Sequence, residues 1–141
     1  MVDGSALPLA ENLALTKAVA HMANVCGVVV EGELGYVPGE EGEDAEKHPG
    51  DVIYTTPAEA NGFVKRTGVD CLVVSVGSVH GRLPERPRLD FRRLAAIAEA
   101  VDIPLVIHHG EFVLAASLCS YVIRAGTSEI LDCSSLLWIT A

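Results

Sequence analysis

Two histidines in this chain stand where apolar runs end. His80 closes the stretch Asp70-Cys71-Leu72-Val73-Val74-Ser75-Val76-Gly77-Ser78-Val79-His80-Gly81, and His108 closes Ile103-Pro104-Leu105-Val106-Ile107-His108. Neutral imidazole is a common zinc ligand, and a catalytic zinc site takes three protein ligands and leaves one position open. Adjacent parallel strands lie only ~5 Å apart, so histidines at neighbouring outlets can converge on one ion. A lone histidine is more often a hydrogen-bonded structural residue; the repeated design is what points to a shared site. Asp3 and Glu33 fall at the outlets of two further strands. They read either as solvated loop acids or as members of the same site. His109 follows His108 directly, and successive strand residues face opposite ways, so it reads as a structural or supporting group. His21 on a helix face and His48 in a loop receive no role.

The elements that must position these groups alternate along the chain. Val2 to Ser5 reads as the last step of a strand running into a loop. Helical spacing then predicts a helix from about Ala10 to Asn24, stopped by Gly27, and a strand from Val28 to Gly35. Residues 36–50 gather prolines, glycines and the acids Glu40, Glu41, Glu43, Asp44 and Glu46. That composition cannot pack a core and reads as a mobile surface loop. Thr56-Pro57-Ala58-Glu59 opens a helix with Thr as cap, Pro at the first helical position and Glu at the third; Gly68 ends it. The His80 strand follows, then a Pro-rich connector over Arg82 to Arg88 and a helix from about Asp90 to Val101. After the His108 strand come an expected helix from Val113 to Ala125, a strand from Ser128 to Leu131, and the apolar tail Leu136-Leu137-Trp138-Ile139.

Continuous apolar strands alternating with helices mean a parallel sheet covered by helices, an α/β fold. A doubly wound open sheet and part of a (β/α)8 barrel both fit, and both place function at the carboxyl ends of the strands. No G-x-G-x-x-G follows a strand and no Walker A sequence is present, which weakens a nucleotide-binding reading. The 141 residues suffice for one ordinary domain, and the 50% hydrophobic content can fill its core. A formal charge of −9 argues against nucleic-acid or anionic-membrane partners. It leaves room for an anionic substrate, because a metal or a ring of backbone N–H groups overrides global charge locally. No apolar run approaches the ~20 residues of a membrane span, and the amino terminus lacks the pattern of a signal peptide. The four cysteines have no C-x-x-C pairing; free thiols in a reducing, cytoplasmic setting are expected.

Several blocks, in order, carry a family resemblance. They are Tyr54-Thr55-Thr56-Pro57-Ala58-Glu59-Ala60, Thr67-Gly68-Val69-Asp70, Val76-Gly77-Ser78-Val79-His80-Gly81, Leu89-Asp90-Phe91 and Pro104-Leu105-Val106-Ile107-His108. Asp3-Gly4-Ser5-Ala6-Leu7-Pro8 with Glu11-Asn12, and Glu31-Gly32-Glu33-Leu34-Gly35, precede them. Together they resemble the class II, zinc-dependent fructose-bisphosphate and tagatose-bisphosphate aldolases. The resemblance implies a partial (β/α)8 barrel, from about the end of strand 4 through strand 8. It implies cleavage of a ketose 1,6-bisphosphate to dihydroxyacetone phosphate and glyceraldehyde 3-phosphate in carbohydrate metabolism, by a cytoplasmic homo-oligomer. It makes His80 and His108 two of three zinc-binding histidines. Asp3 and Glu33 match site acids able to hold a second cation. Glu41 matches a mobile-loop glutamate that moves a proton. Gly81 matches the glycine of the phosphate and monovalent-cation (Na⁺ or K⁺) environment. Zn²⁺ in such enzymes acts as a Lewis acid on the ketone oxygen, with no Schiff-base lysine.

The chain departs from the family at both ends. The family's first half is missing, and with it the Asp-His pair that gives the third zinc ligand and an acid/base. Over 109–141 the pattern diverges: His109-Gly110-Glu111-Phe112 stands in place of Gly-Gly-Ser-Gly, and Leu131-Asp132-Cys133-Ser134 keeps only the Ser134 hydroxyl of the last block. Glu111 repels phosphate and Phe112 lacks glycine's backbone freedom. The expectation is therefore a fragment inactive alone; the alternative is a non-catalytic half-barrel that binds metal or serves in assembly. A third reading is an open-sheet protein with another ligand at the histidine end.

Overall fold

The structure, a computed structural model, describes residues 1–36, 53–78, 89–108, 120–123 and 130–132. Helix α1 (Leu9–Val25) buries Asn12, Leu13, Thr16 and Ala20, a set with helical spacing that turns one face to the sheet. Strand β1 (Glu31–Leu34) follows. Helix α2 (Pro57–Thr67) begins in a complete capping box: the Thr56 hydroxyl accepts from the Glu59 N–H, and the Glu59 carboxylate accepts from the Thr56 N–H. It ends at Gly68 in the left-handed conformation. Strand β2 (Cys71–Val74), helix α3 (Phe91–Ala100) and strand β3 (Leu105–His108) complete the repeating part. Asp90 caps α3 by accepting from the Arg93 N–H at 2.9 Å.

Strands β1, β2 and β3 lie side by side in chain order, all parallel. Val2 adds one parallel bridge at the outer edge of β1, against Gly32. Alternation along the strands divides their residues into two faces. Leu34, Leu72, Val74, Leu105 and Ile107 form one core with Leu13, Ala60, Phe63, Leu94 and Ile97 of the three helices. Burying each such large side chain contributes ~1.5–3 kcal/mol. The helices therefore share one face, whereas a doubly wound sheet carries them on both. Sequential strands with helices on one side form the wall of a (β/α)8 barrel. The other face, inward in a barrel, carries Glu31, Glu33, Cys71, Val73, Val106 and His108 by the register of the strands.

Beyond His108 the structure departs from the expected alternation. Strand β4 (Ser120–Ile123) lies within the segment expected to be helical from Val113 to Ala125, and it pairs antiparallel with β3. Strand β5 (Ile130–Asp132) overlaps the expected last strand but runs antiparallel to β4. Tyr121, Val122 and Ile123 are aromatic or β-branched and favour extended backbone. A return over six residues can close only an antiparallel pair, since a parallel one needs a crossover of a dozen or more. The parallel helix-and-strand alternation thus holds across β1 to β3. At the start, paired strand is shorter than the apolar run, for Val28 and Val29 lie exposed ahead of Glu31. Glu41 and the rest of the acidic loop after Tyr36, His80, Gly81, the Pro-rich connector, Ser134 and the apolar tail lie outside the described residues.

Candidate functional site

The inner face of the sheet supplies two carboxylates, a thiol and an imidazole. Glu31 opens β1 and His108 closes β3, yet the two side chains meet, with His108 Nε2 3.1 Å from Glu31 Oε1. The contact passes over β2, a lateral span of roughly 10 Å for two strand spacings. From β2, the Cys71 thiol donates to the other carboxylate oxygen, Sγ to Oε2 3.8 Å. Glu31 is only 6% exposed. Burial pulls the His108 pKa down, but the hydrogen bond and charge of Glu31, backed by Glu33 and Asp3, outweigh it and leave His108 above the ordinary histidine value.

Glu33 sits one alternation further along β1 on the same face. Burial, and then the nearby Asp3 charge, pushes its pKa up to about 7, against smaller opposing effects of His108 and the Ser5 hydroxyl. A carboxylate held in this way is costly to ionise alone and gains strongly from a cation. Asp3 itself is exposed and accepts from the Ser5 N–H at 2.9 Å and the Ser5 hydroxyl at 2.6 Å.

These side chains are placed by polar groups behind them. Asn12 of α1 is buried; its amide donates to the Glu33 carbonyl at 2.9 Å, and its oxygen accepts from Thr16 at 2.9 Å. A Cβ on Gly4 would stand 2.5 Å from Asn12 Oδ1, so the Asp3–Ser5 turn can lie against α1 only with glycine there. At the β1 outlet, Tyr36 and Ile53 exchange backbone hydrogen bonds of 3.0 and 3.3 Å. They thereby close the stem of the acidic loop. Thr55 ties that stem to both strands, donating to the Leu34 carbonyl at 2.6 Å and accepting from the Ser75 N–H at 2.9 Å. Arg93 of α3 reaches the same stem, donating to the Thr55 carbonyl at 3.1 Å with its guanidinium over the Tyr54 ring. A cleft of about 110 Å³ opens beside the stem, lined by Ser5, Leu7, Asn12, Tyr36 and Thr55 among others. Neither Glu33 nor His108 lines it, so it flanks the acidic face without forming its centre.

Of the residues singled out in the sequence, Asp3, Glu33 and His108 lie near enough for the charges of Asp3 and His108 to act on Glu33. The β2 outlet leading to His80 contains Ser78, whose hydroxyl is buried and has no hydrogen-bond partner among the described residues. Also among the described residues, no three His, Cys, Asp or Glu side chains are grouped so as to hold a metal ion. Glu31, Cys71 and Asn12 were not singled out as site residues. Glu31 was within reach, since it lies two positions before Glu33 and a strand repeats its face every second residue. Its pairing with His108 had no sequence signal, because the two are 77 positions apart.

Comparison with known proteins bears on this arrangement. The family model described as Fructose-bisphosphate aldolase class-II matches residues 1–130. Among solved structures, the chain is similar to the YdjI aldolase from Escherichia coli K12, with 35% identity and a TM-score of 0.64 over 79% of this chain and 36% of that one. It is also similar to a putative fructose-1,6-biphosphate aldolase from Coccidioides immitis, with 36% identity and a TM-score of 0.70, covering 79% of this chain and 39% of that one. A fructose-bisphosphate aldolase from Campylobacter jejuni shares the fold at 23% identity and a TM-score of 0.56, covering 79% and 34%. The chain thus spans well under half the length of each.

Proposed function

The chain belongs to the class-II fructose-bisphosphate aldolase family, and from that premise we propose that it forms the carboxyl-terminal part of a zinc-dependent aldolase site. The reaction proposed is reversible cleavage of a ketose 1,6-bisphosphate, fructose or tagatose, to dihydroxyacetone phosphate and glyceraldehyde 3-phosphate. The observation that supports this reading best is the convergence of His108, Glu33 and Asp3 at the carboxyl end of a barrel wall. Nitrogen and carboxylate donors suit zinc. A carboxyl group raised by burial and by a neighbouring acid suits a cation, and the buried Ser78 hydroxyl, unpartnered among the described residues, marks the outlet toward His80 as polar. The donor types therefore suit the metal, with His80, outside the described residues, completing the pair of histidines in this reading.

In this reading His80 and His108 hold Zn²⁺, and Glu33 with Asp3 holds a second cation. Bound zinc supplies Lewis-acid polarisation of the ketone and electrostatic stabilisation of the charge left when the C3–C4 bond breaks. The chain's own residues do the rest. Glu41 moves a proton, while Gly81 and Ser134 serve the binding of phosphate or of a monovalent cation, Na⁺ or K⁺. The Thr55 and Arg93 contacts fix the stem from which the Glu41 segment leaves. A homo-oligomeric, cytoplasmic enzyme of carbohydrate metabolism is the setting proposed, with residues 1–141 as one partial-barrel domain. Among the described residues, no helix is long and apolar enough to cross a membrane.

The test is zinc content together with aldol cleavage of both bisphosphates, with and without an amino-terminal aldolase half supplied in trans. Chelator-sensitive cleavage on complementation is the expected outcome. Zinc bound tightly with no turnover in either condition leaves a metal-binding or assembly half-barrel. Absence of both zinc and turnover refutes the reading.

A further inference from the structure

The Glu31 contact with His108 has a direction. A carboxylate offers only lone pairs, so the hydrogen bond between Oε1 and Nε2 places the proton on the imidazole nitrogen. In a neutral imidazole the lone pair is then on Nδ1. The carboxylate is itself held at both oxygens, by His108 on Oε1 and by the Cys71 thiol on Oε2. It is buried, and a buried carboxylate is costly unless its oxygens are satisfied, so this geometry is not one that Glu31 leaves readily.

We propose that Glu31 is a positioning residue for His108: anchored on Cys71, it grips Nε2–H and thereby sets the ring so that Nδ1 is the nitrogen offered to a metal ion. The inference rests on the reading of His108 as a zinc ligand. Metal-bound imidazoles commonly donate their second N–H to a carboxylate, which fixes the tautomer and ring orientation and strengthens the ligand. The two acids of β1 then divide the work by position. Glu31, at the strand's start, reaches across β2 to the ring, whereas Glu33, nearer the outlet, shares its field with Asp3 and attracts the cation.

The experiment uses the full 141-residue chain as wild type, Glu31→Gln, Glu31→Ala and His108→Ala, each checked for native circular dichroism. The first readout is the ring N–H resonance of His108 in nitrogen-15 NMR without metal, assigned by its loss in His108→Ala. It should persist in wild type and in Glu31→Gln, whose amide oxygen still accepts, and vanish by solvent exchange in Glu31→Ala. The second is zinc affinity by competition with a chromophoric chelator. It should fall ~10–100-fold in Glu31→Ala and less in Glu31→Gln. Should Glu31→Ala fail to fold, Glu31→Gln carries the test: loss of its ring resonance overturns the proposal. So does an unchanged resonance in a folded Glu31→Ala, or unchanged zinc affinity there while His108→Ala weakens it. A Glu31→Gln variant that loses zinc as completely as His108→Ala makes Glu31 a ligand and overturns the positioning role. If His108→Ala leaves zinc binding intact, the ligand assignment fails, while the ring resonance still decides whether Glu31 holds His108.

Discussion

Gly35 and Gly68 offer a controlled comparison, because both have a positive φ and they differ in their surroundings. Both have positive φ, +87° and +74°, where a side chain is strained. An alanine in the left-handed region costs roughly 1–2 kcal/mol at either position. At Gly68 nothing lies within 4 Å of the added Cβ, so that conformational cost is the whole effect. At Gly35 the new Cβ would stand 2.6 Å from Thr55 Oγ1, 2.7 Å from the Ile53 carbonyl oxygen and 2.8 Å from Ser75 Cβ. Two of these neighbours are tied down: Thr55 bonds to Leu34 and Ser75, and the Ile53 carbonyl accepts from Tyr36. Relief requires moving backbone or breaking the stem, an overpacking cost of about 1–3 kcal/mol. Gly35→Ala should therefore destabilise by ~2–5 kcal/mol in total. Against a typical stability of ~5–15 kcal/mol, that separates a folded chain from a partly unfolded one. Urea denaturation followed by far-ultraviolet circular dichroism measures both variants. A Gly35→Ala cost no larger than that of Gly68→Ala would show that the loop stem yields freely, and would refute the close-packed outlet described above.

Two further predictions test the groups behind the site. Asn12→Leu preserves size but strands the buried Glu33 carbonyl and removes the Thr16 partner. The expected loss is about 1–3 kcal/mol in urea denaturation; a neutral change would mean that α1 does not hold β1 through this amide. Burial, with the charge of Glu31 behind it, pushes the Cys71 thiol up to about 12, whereas Cys26 is exposed. At pH 8 such a thiol is ionised in roughly one molecule in 10⁴. Alkylation mapped by peptide mass spectrometry should modify Cys26 and spare Cys71, with Cys71 reacting only as pH approaches 12 or the chain is unfolded. Equal labelling of the two at pH 8 in the folded chain would contradict the burial of that inner face.

Much of the wall is local enough to read in one dimension. The capping box at Thr56, the stop at Gly68 and the cap at Asp90 depend on residues within a few positions of one another, and each helix lies where those signals put it. The apolar runs of β2 and β3 announce strands buried on both faces for the same reason. After His108 that logic fails. Ser120 to Ile123 read as part of a helix, whereas they form strand β4, where pairing along the edge of β3 outweighs the pattern. Strand propensity depends on context in this way because a strand completes its hydrogen bonds only against a neighbour.

The sequence by itself determined at which end of their strands Asp3, Glu33 and His108 stand. Strand polarity and alternation are short-range properties, so the local pattern alone puts these three on strand outlets at one end. The tertiary structure decided which of them meet and what holds them. That Glu31 grips His108 across the intervening strand, that Asn12 braces Glu33 from a helix, and that Cys71 anchors the carboxylate all depend on sheet order and register. Those are set by which surfaces bury together, a property of the folded chain as a whole. No spacing across a separation of 77 positions encodes it.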